Sequence, residues 1–338
     1  MKSVVINGKL DIATSEVPTP EPEPGQVRLR MAYAGICGSD LHYYFEGANG
    51  AFVVKEPLVP GHEVSGTVDL DPSGTWAVGT PVTLHPATFG ESRPGIEDRP
   101  HLWPNGAYLG SASTWPHTQG GASEYMLVRL DQLRALPEGL DLRTAALAEP
   151  LAVALHAVAI AGGVEGARVL VSGSGPIGLL AAAAALALGA QEVTCSDVID
   201  EALERASGMG AQRVVNVTRE KLPEEYFDVV LECSGAPVAT NAALLALRRA
   251  GILVQVGMMP SGPQGIDVAT LVSRELQLRG TFRFNDEVDQ AVQLLAERPS
   301  IAEVITHVVE ADEAAEAFAT AKDSRRSGKV LLDLWNEA

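Results

Sequence analysis

The stretch "AGICGSDLHYY", residues 34–44, sets Cys37 among groups that bind metals and move protons: Ser39, Asp40, His42 and Tyr43. Further on, "GHEVSG" (61–66) supplies His62 and Glu63, and "LAEPLAV" (147–153) supplies Glu149. Thiolate, imidazole and carboxylate are the ligand types of zinc, and a catalytic zinc keeps one position open for substrate. Spacing alone does not bring these residues together. Taken singly, a buried cysteine or histidine is as well explained by packing.

A second cluster is "VSGSGPIGLL" (171–180), where Gly173, Gly175, Pro176, Ile177 and Gly178 make a G-x-G-x-x-G pattern. It follows the strand-like "ARVLVSG" and opens an alanine-rich helical run, and Asp197 stands at the end of the next strand-like run. That is the context of a dinucleotide site. Gly173 permits a tight turn, Gly175 lets a pyrophosphate approach the backbone, and Gly178 lets the helix pack against the sheet. The helix N-terminus offers free N–H groups to the phosphates. Asp197 suits the adenosine ribose hydroxyls and repels a 2′-phosphate, which favours NAD over NADP; its alternative is a helix N-cap. Gly235 and Gly257 end later strand-like runs, where backbone would pass close to the cofactor.

The elements that must position these groups change in texture along the chain. Up to about 150 the runs are short and β-branched, such as "VRLRMAYAGI", "GTVDL" and "GASEYMLVR". From about 150, strand-like runs alternate with helical ones: a helix over 176–189, "EVTCSD", a helix near 200–209, "RVVNV", "FDVVLECSG", a helix near 239–250 and "GILVQVG". That alternation signals βαβ units and a parallel sheet. From about 285 come two helical runs and a strand-like "GKVLLDL".

At 338 residues the chain suits two domains. A net charge of −18 disfavours nucleic acid and anionic membrane as partners. The longest apolar run, "GLLAAAAALALGA", is too short to span a bilayer. Three cysteines make no disulfide framework, so a cytoplasmic protein is expected. Cys195, Cys233 and His156 read as packing residues.

"GICGSDLHYY", "PLVPGHEVSGTV", "GTPVTLHP", "LAEPLAVALHA" and "GSGPIGLL" together resemble the zinc-dependent medium-chain dehydrogenases over nearly the full length. Within them, Tyr43 and Tyr44, the Glu149–Pro150 pair, "TFRF" (281–284) and "YLGSASTWPHTQGGASEY" (108–125) are similar to the sorbitol, polyol and L-idonate dehydrogenase branch. The resemblance implies an α/β protein: a GroES-like, partly open β-barrel catalytic domain over 1–150, completed by 285–338, and a Rossmann domain over 151–284. It implies Cys37 and His62 as zinc ligands, with Glu63 or Glu149 as the third. Asp40 would orient the zinc histidine, and Ser39 and His42 would relay a proton. Tyr43 and Arg283 match substrate-side positions, although core packing for Tyr43 and a surface ion pair for Arg283 explain them as well.

The implied reaction moves hydride from a secondary hydroxyl of a sugar acid or polyol to NAD, as from L-idonate to 5-ketogluconate. Sorbitol, xylitol, threonine and butanediol are alternative substrates. A non-catalytic NAD-binding protein and a zinc-free quinone reductase are alternatives of other classes. Many relatives carry a second, structural zinc on four cysteines, but 85–121 here contains none. One zinc per chain is expected, with Pro104, Pro116, Trp103 and Trp115 packing the lobe. The family forms dimers and tetramers by pairing edge strands, so a homo-oligomer is expected, with "LQLRGTFRF" as such an edge.

Overall fold

A computed structural model describes residues 1–335, so the last residues of the 285–338 segment lie outside it. The chain forms two compact units. The first takes in Met1–Glu149, Val288–Asp323 and the segment beginning at Lys329. Its core is a seven-stranded sheet in the order Leu133–Ala135, Pro81–Leu84, Glu63–Leu70, Gln26–Gly35, Lys329–Asp333, Ile305–Glu310, with Tyr125–Arg129 also paired to Gln26–Gly35. The pairs are antiparallel except that between Ile305–Glu310 and Lys329–Asp333.

The Gln26–Gly35 strand organises this sheet. Its burial alternates over QVRLRM, as expected of a strand with one face on the core. Its register with Glu63–Leu70 shifts near Arg28 and Met31, while residues 26–30 also pair with Tyr125–Arg129 and residues 33–35 with Lys329–Asp333. Val27, Leu29, Met31 and Ala34 pack with Leu58, Val64, Phe318 and Leu332 in one apolar cluster.

The second unit takes in Pro150–Glu287 and Ser324–Gly328. It is a six-stranded, all-parallel sheet ordered Arg213–Asn216, Glu192–Asp197, Arg168–Ser172, Phe227–Glu232, Leu247–Gln255, Gln277–Gly280. Chain order reverses between Arg168–Ser172 and Phe227–Glu232, the topological switch point where doubly wound sheets bind ligands. The strands read as continuous apolar runs because both faces are buried.

One helix ends earlier than its sequence predicts. The run near 239–250 is helical only over Pro237–Ala246, and Leu247 already opens the next strand by pairing with Phe227. The strand register then shifts, and Ala250 takes a left-handed φ of 58°. The "TFRF" segment lies beyond the last strand of this sheet, which ends at Gly280. Among the described residues no helix is long and apolar enough to cross a membrane.

Leu170 is fully buried between Phe227, Val230, Leu244 and Leu253. Leu170→Ala is expected to cost about 2–5 kcal/mol, read as a lower urea midpoint. Val198→Ala, on an exposed side chain, should stay within about 0.5 kcal/mol of wild type.

Candidate active site

Strand register gathers the candidate ligands. Gly35 pairs with Glu63 on one side and Leu331 on the other. Three chain segments therefore reach the same end of the sheet: Cys37 just past the first strand, His62 and Glu63 at the start of the second, Lys329 at the start of the third. Gly35 has to be glycine, because a Cβ there would lie 2.1 Å from Glu63 Oε2. Cys37 is the N-cap of the helix Gly38–Glu46, with extended backbone, which sets its sulfur at the positive end of the helix dipole. Gly61, at φ 98°, turns the chain into His62, and Gly121 and Ala122 donate N–H to Gly61 and Pro60 carbonyls to fix that corner.

One ligand atom each from Cys37, His62 and Glu63 lie within 4.8 Å of one another. A tetrahedral zinc with bonds of 2.0–2.3 Å needs its ligands roughly 3.3–3.8 Å apart, so a small contraction completes the set. His62 Nδ1 and Asp40 Oδ1 are buried without a hydrogen-bond partner, and a bound cation would give this polar pocket the partner it lacks. The donor set of sulfur, nitrogen and oxygen fits zinc.

The pocket is crowded with charge. Both Glu63 oxygens accept from Lys329 Nζ at 2.7 Å, and Lys329 also donates to the Ile36 carbonyl. Lys329 is 2% exposed. Burial acts to lower its pKa, but Glu63, Cys37 and Glu149 outweigh burial and hold the ammonium above its usual value. Burial also works against a charged His62, yet Cys37, Asp40 and Glu149 raise it well above the histidine range. Glu149 is raised by burial and by Glu63, against the pull of His62, the Tyr108 hydroxyl and Lys329. Asp40 is raised chiefly by burial.

Each remaining candidate has a definite place. Asp40 accepts the Cys37 N–H at 2.9 Å. It caps the helix that carries Cys37, and its charge also acts on His62, although no hydrogen bond joins the two. Ser39 is half-buried, and His42 is exposed and bonded to Glu46 at 3.0 Å. Tyr43 is 2% exposed, and its oxygen meets Ser111 Oγ and the Ala112 N–H, which agrees with the packing alternative. Glu149 lies outside the close group and accepts from Tyr108 Oη at 2.5 Å. Arg283, in the second unit, has a left-handed φ of 52° and stacks its guanidinium over Phe282.

The lobe is held differently from the expectation. Trp115 is 67% exposed and so is not a packing residue. Buried His117 does the holding, accepting the Lys55 N–H and contacting the Thr114 carbonyl. His85 Nδ1 accepts the Ala87 N–H.

In the second unit the glycines meet tight contacts. Gly173 has φ 93° and approaches Ser234, and a Cβ on Gly178 would lie 1.9 Å from the Gly173 carbonyl oxygen. A Cβ on Gly257 would lie 2.3 Å from the Gly235 nitrogen. Asp197 accepts N–H groups from Ser174, Val198 and Ile199. It ties the glycine turn to its own strand end, and the N-cap of the following helix is Ile199. Arg205 donates to the Ser324 and Arg325 carbonyls and lowers no charge at Asp197 by direct pairing. Reasoning from sequence missed Glu232. It is fully buried and accepts from Ser172 Oγ, Ser234 N and Oγ, Gly235 N and Gln255 Nε2. The only signal was an acid inside the apolar run "FDVVLE". Burial pushes the Cys195 thiol up to about 12 and Cys233 well above its usual value, which suits packing. His156 pairs with Glu287 at 2.6 Å.

Two known families match the chain. One, described as alcohol dehydrogenase GroES-like domain, matches residues 23–138, and the other, zinc-binding dehydrogenase, matches residues 176–297. The L-idonate 5-dehydrogenase (NAD(P)(+)) of Escherichia coli (strain K12) is 39% identical over 301 residues, 87% of this chain and 87% of the relative. The sorbitol dehydrogenase of Gallus gallus is 35% identical over 351 residues, 98% of this chain and 95% of the relative. The crystal structure of the E. coli L-idonate 5-dehydrogenase matches with a TM-score of 0.93 at 36% identity, covering 98% of each chain. That of 2R,3R-butanediol dehydrogenase from Bacillus subtilis matches at 0.85 and 28%, covering 98% of this chain and 99% of the other.

Lys329→Met leaves the Glu63 carboxylate buried without its cation. At pH 7.5 the metal-free variant should lose about 3–5 kcal/mol, measured by thermal melting. The raised lysine supplies this stability below the ordinary lysine range and loses it as pH rises through the folded value, so the gap should close at strongly alkaline pH. Glu149 has the opposite consequence for its own deletion. A carboxyl raised on folding costs stability as pH rises past the ordinary carboxylate range. Metal-free Glu149→Gln should therefore gain on wild type in melting temperature as pH rises above the ordinary carboxylate range.

Proposed function

This chain belongs to the zinc-dependent medium-chain dehydrogenases, and from that premise we propose that it oxidises a secondary hydroxyl of a sugar acid, L-idonate foremost, with NAD as acceptor. The observation that carries the reading is the group of half-buried Cys37 and buried His62 and Glu63, whose ligand atoms lie within 4.8 Å at one end of the sheet. When bound, zinc supplies Lewis-acid polarisation of a hydroxyl oxygen, and NAD supplies the hydride acceptor.

The chain's own residues do the rest. Cys37, His62 and Glu63 hold the metal, and Lys329 keeps the Glu63 carboxylate in place. Ser39 accepts the hydroxyl proton as it gives up its own toward His42, which, exposed beside Glu46, passes a proton to water. Gly173, Gly175 and Gly178 admit the pyrophosphate, and the N-terminus of the helix Pro176–Ala187 faces it. Asp197 sets a negative charge beside the glycine turn, which disfavours a 2′-phosphate. Arg283 is the cation we assign to the substrate carboxylate, since a guanidinium matches it in two parallel hydrogen bonds. The 39% identity to an L-idonate 5-dehydrogenase supports the sugar-acid reading. A neutral polyol is the second reading, favoured by the sorbitol dehydrogenase similarity over 98% of the chain. Gln277–Gly280, last in its sheet, is the edge we assign to pairing with another copy.

NADH formation from L-idonate and D-sorbitol, followed side by side, tests the reading. L-Idonate is expected to give the higher kcat/KM. Arg283→Leu should lower that value about 10–100-fold, the loss of one charge-assisted pair, and leave sorbitol little changed. Preference for sorbitol, with Arg283→Leu affecting both substrates alike, would overturn the sugar-acid reading.

A further inference from the structure

Glu63 and Glu149 are both carboxylates of the same buried pocket, and the structure treats them differently. Glu63 stands in the close group with Cys37 and His62 and is steadied from behind by Lys329. Glu149, in the first turn of the helix Ala148–Ala161, is 6% exposed and outside that group. What it has in place of a metal is the Tyr108 hydroxyl at 2.5 Å.

Tyr108 is built to hold this position. It is buried, it sits in the short strand Ala107–Tyr108 paired with Ala87–Thr88, and its ring meets His62 edge-on at 5.4 Å between centroids. One aromatic side chain thus touches a candidate ligand with its ring and the spare carboxylate with its oxygen. The consequence follows from coordination number. Three protein ligands leave a tetrahedral zinc open to substrate, whereas four close it. A buried carboxylate stripped of its hydrogen bond pays the full cost of desolvation, and the strongest partner within the pocket is the cation. We propose that Tyr108 is a positioning residue that restrains Glu149 from the metal and so keeps the fourth coordination position open. This rests on the assignment of zinc to Cys37, His62 and Glu63 and extends it.

Tyr108→Phe is the test, since it removes one oxygen and keeps the ring against His62. Zinc-loaded wild type, Tyr108→Phe, Glu149→Gln and the double variant are compared by metal content, zinc release to a chromophoric chelator, the visible spectrum after cobalt substitution, and kcat. Tyr108→Phe is expected to keep one metal per chain, to release it about tenfold more slowly, to shift the cobalt bands as a carboxylate replaces water, and to lose about tenfold in kcat. The double variant should release zinc as fast as Glu149→Gln alone. Faster release from Tyr108→Phe would mean that Glu149 is itself a ligand supported by the tyrosine, and would overturn the proposal. Unchanged release and spectrum would reduce Tyr108 to packing and overturn it as well. Failure of the metal assignment looks different: wild type would then hold no zinc, or Cys37→Ser would hold it equally well.

Discussion

Beside a half-buried Cys37, the carboxylates of Asp40, Glu63 and Glu149 meet one lysine and one histidine out of reach of water, and a buried pocket of that composition persists only if its charges cancel. A bare carboxylate in protein interior costs several kcal/mol, against a total stability of about 5–15 kcal/mol for a typical domain. Lys329 offsets Glu63 directly. A dication added to Lys329 then matches a Cys37 thiolate and the two glutamates, and burial raises Asp40 toward its neutral form. The sheet register, the glycine at position 35 and the corner at Gly61 can all be seen as the geometry that this cancellation requires.

The same economy governs the second unit, with backbone N–H groups in the place of a lysine. Glu232 is a fully buried carboxylate that donors from three strand ends converge on. Asp197 collects three N–H groups in a similar way at the end of a strand on the far side of Arg168–Ser172. Each acid fastens loops at the switch point of the sheet, so the glycine turns are held by electrostatics as well as by close packing.

What could be read from the sequence follows from how far apart the cooperating residues lie. The glycine fingerprint and its acid fall within one βαβ unit, where strand, turn and helix follow one another in the text, and the alternation from 150 onward gives the parallel sheet. Cys37, His62 and Glu63 were legible as a resemblance, since their meeting depends on strand pairing that no local pattern encodes. Lys329 and Tyr108 carry no local signal at all: one opens an apolar strand and the other reads as an aromatic in a loop. Tyr43 and Trp115 could not be placed from their types, because tyrosine and tryptophan suit a wet site and a dry core equally well. The polar tip of Tyr43 is used inside the lobe, while Trp115 is left in solvent. The helix that ends at Ala246 did so because strand pairing at Leu247 overrode a favourable helical run.

Lys329 follows Glu63 by 266 positions, and the whole of the cofactor unit is written between them. A ribosome therefore delivers Cys37, His62 and Glu63 early, and all six strands of the parallel sheet next, before the lysine that neutralises Glu63 exists. The central strand of the first sheet likewise waits for its Lys329–Asp333 partner. The chain's order of synthesis makes the nucleotide-binding half self-sufficient first and leaves the metal pocket as the last part of the protein that can be assembled.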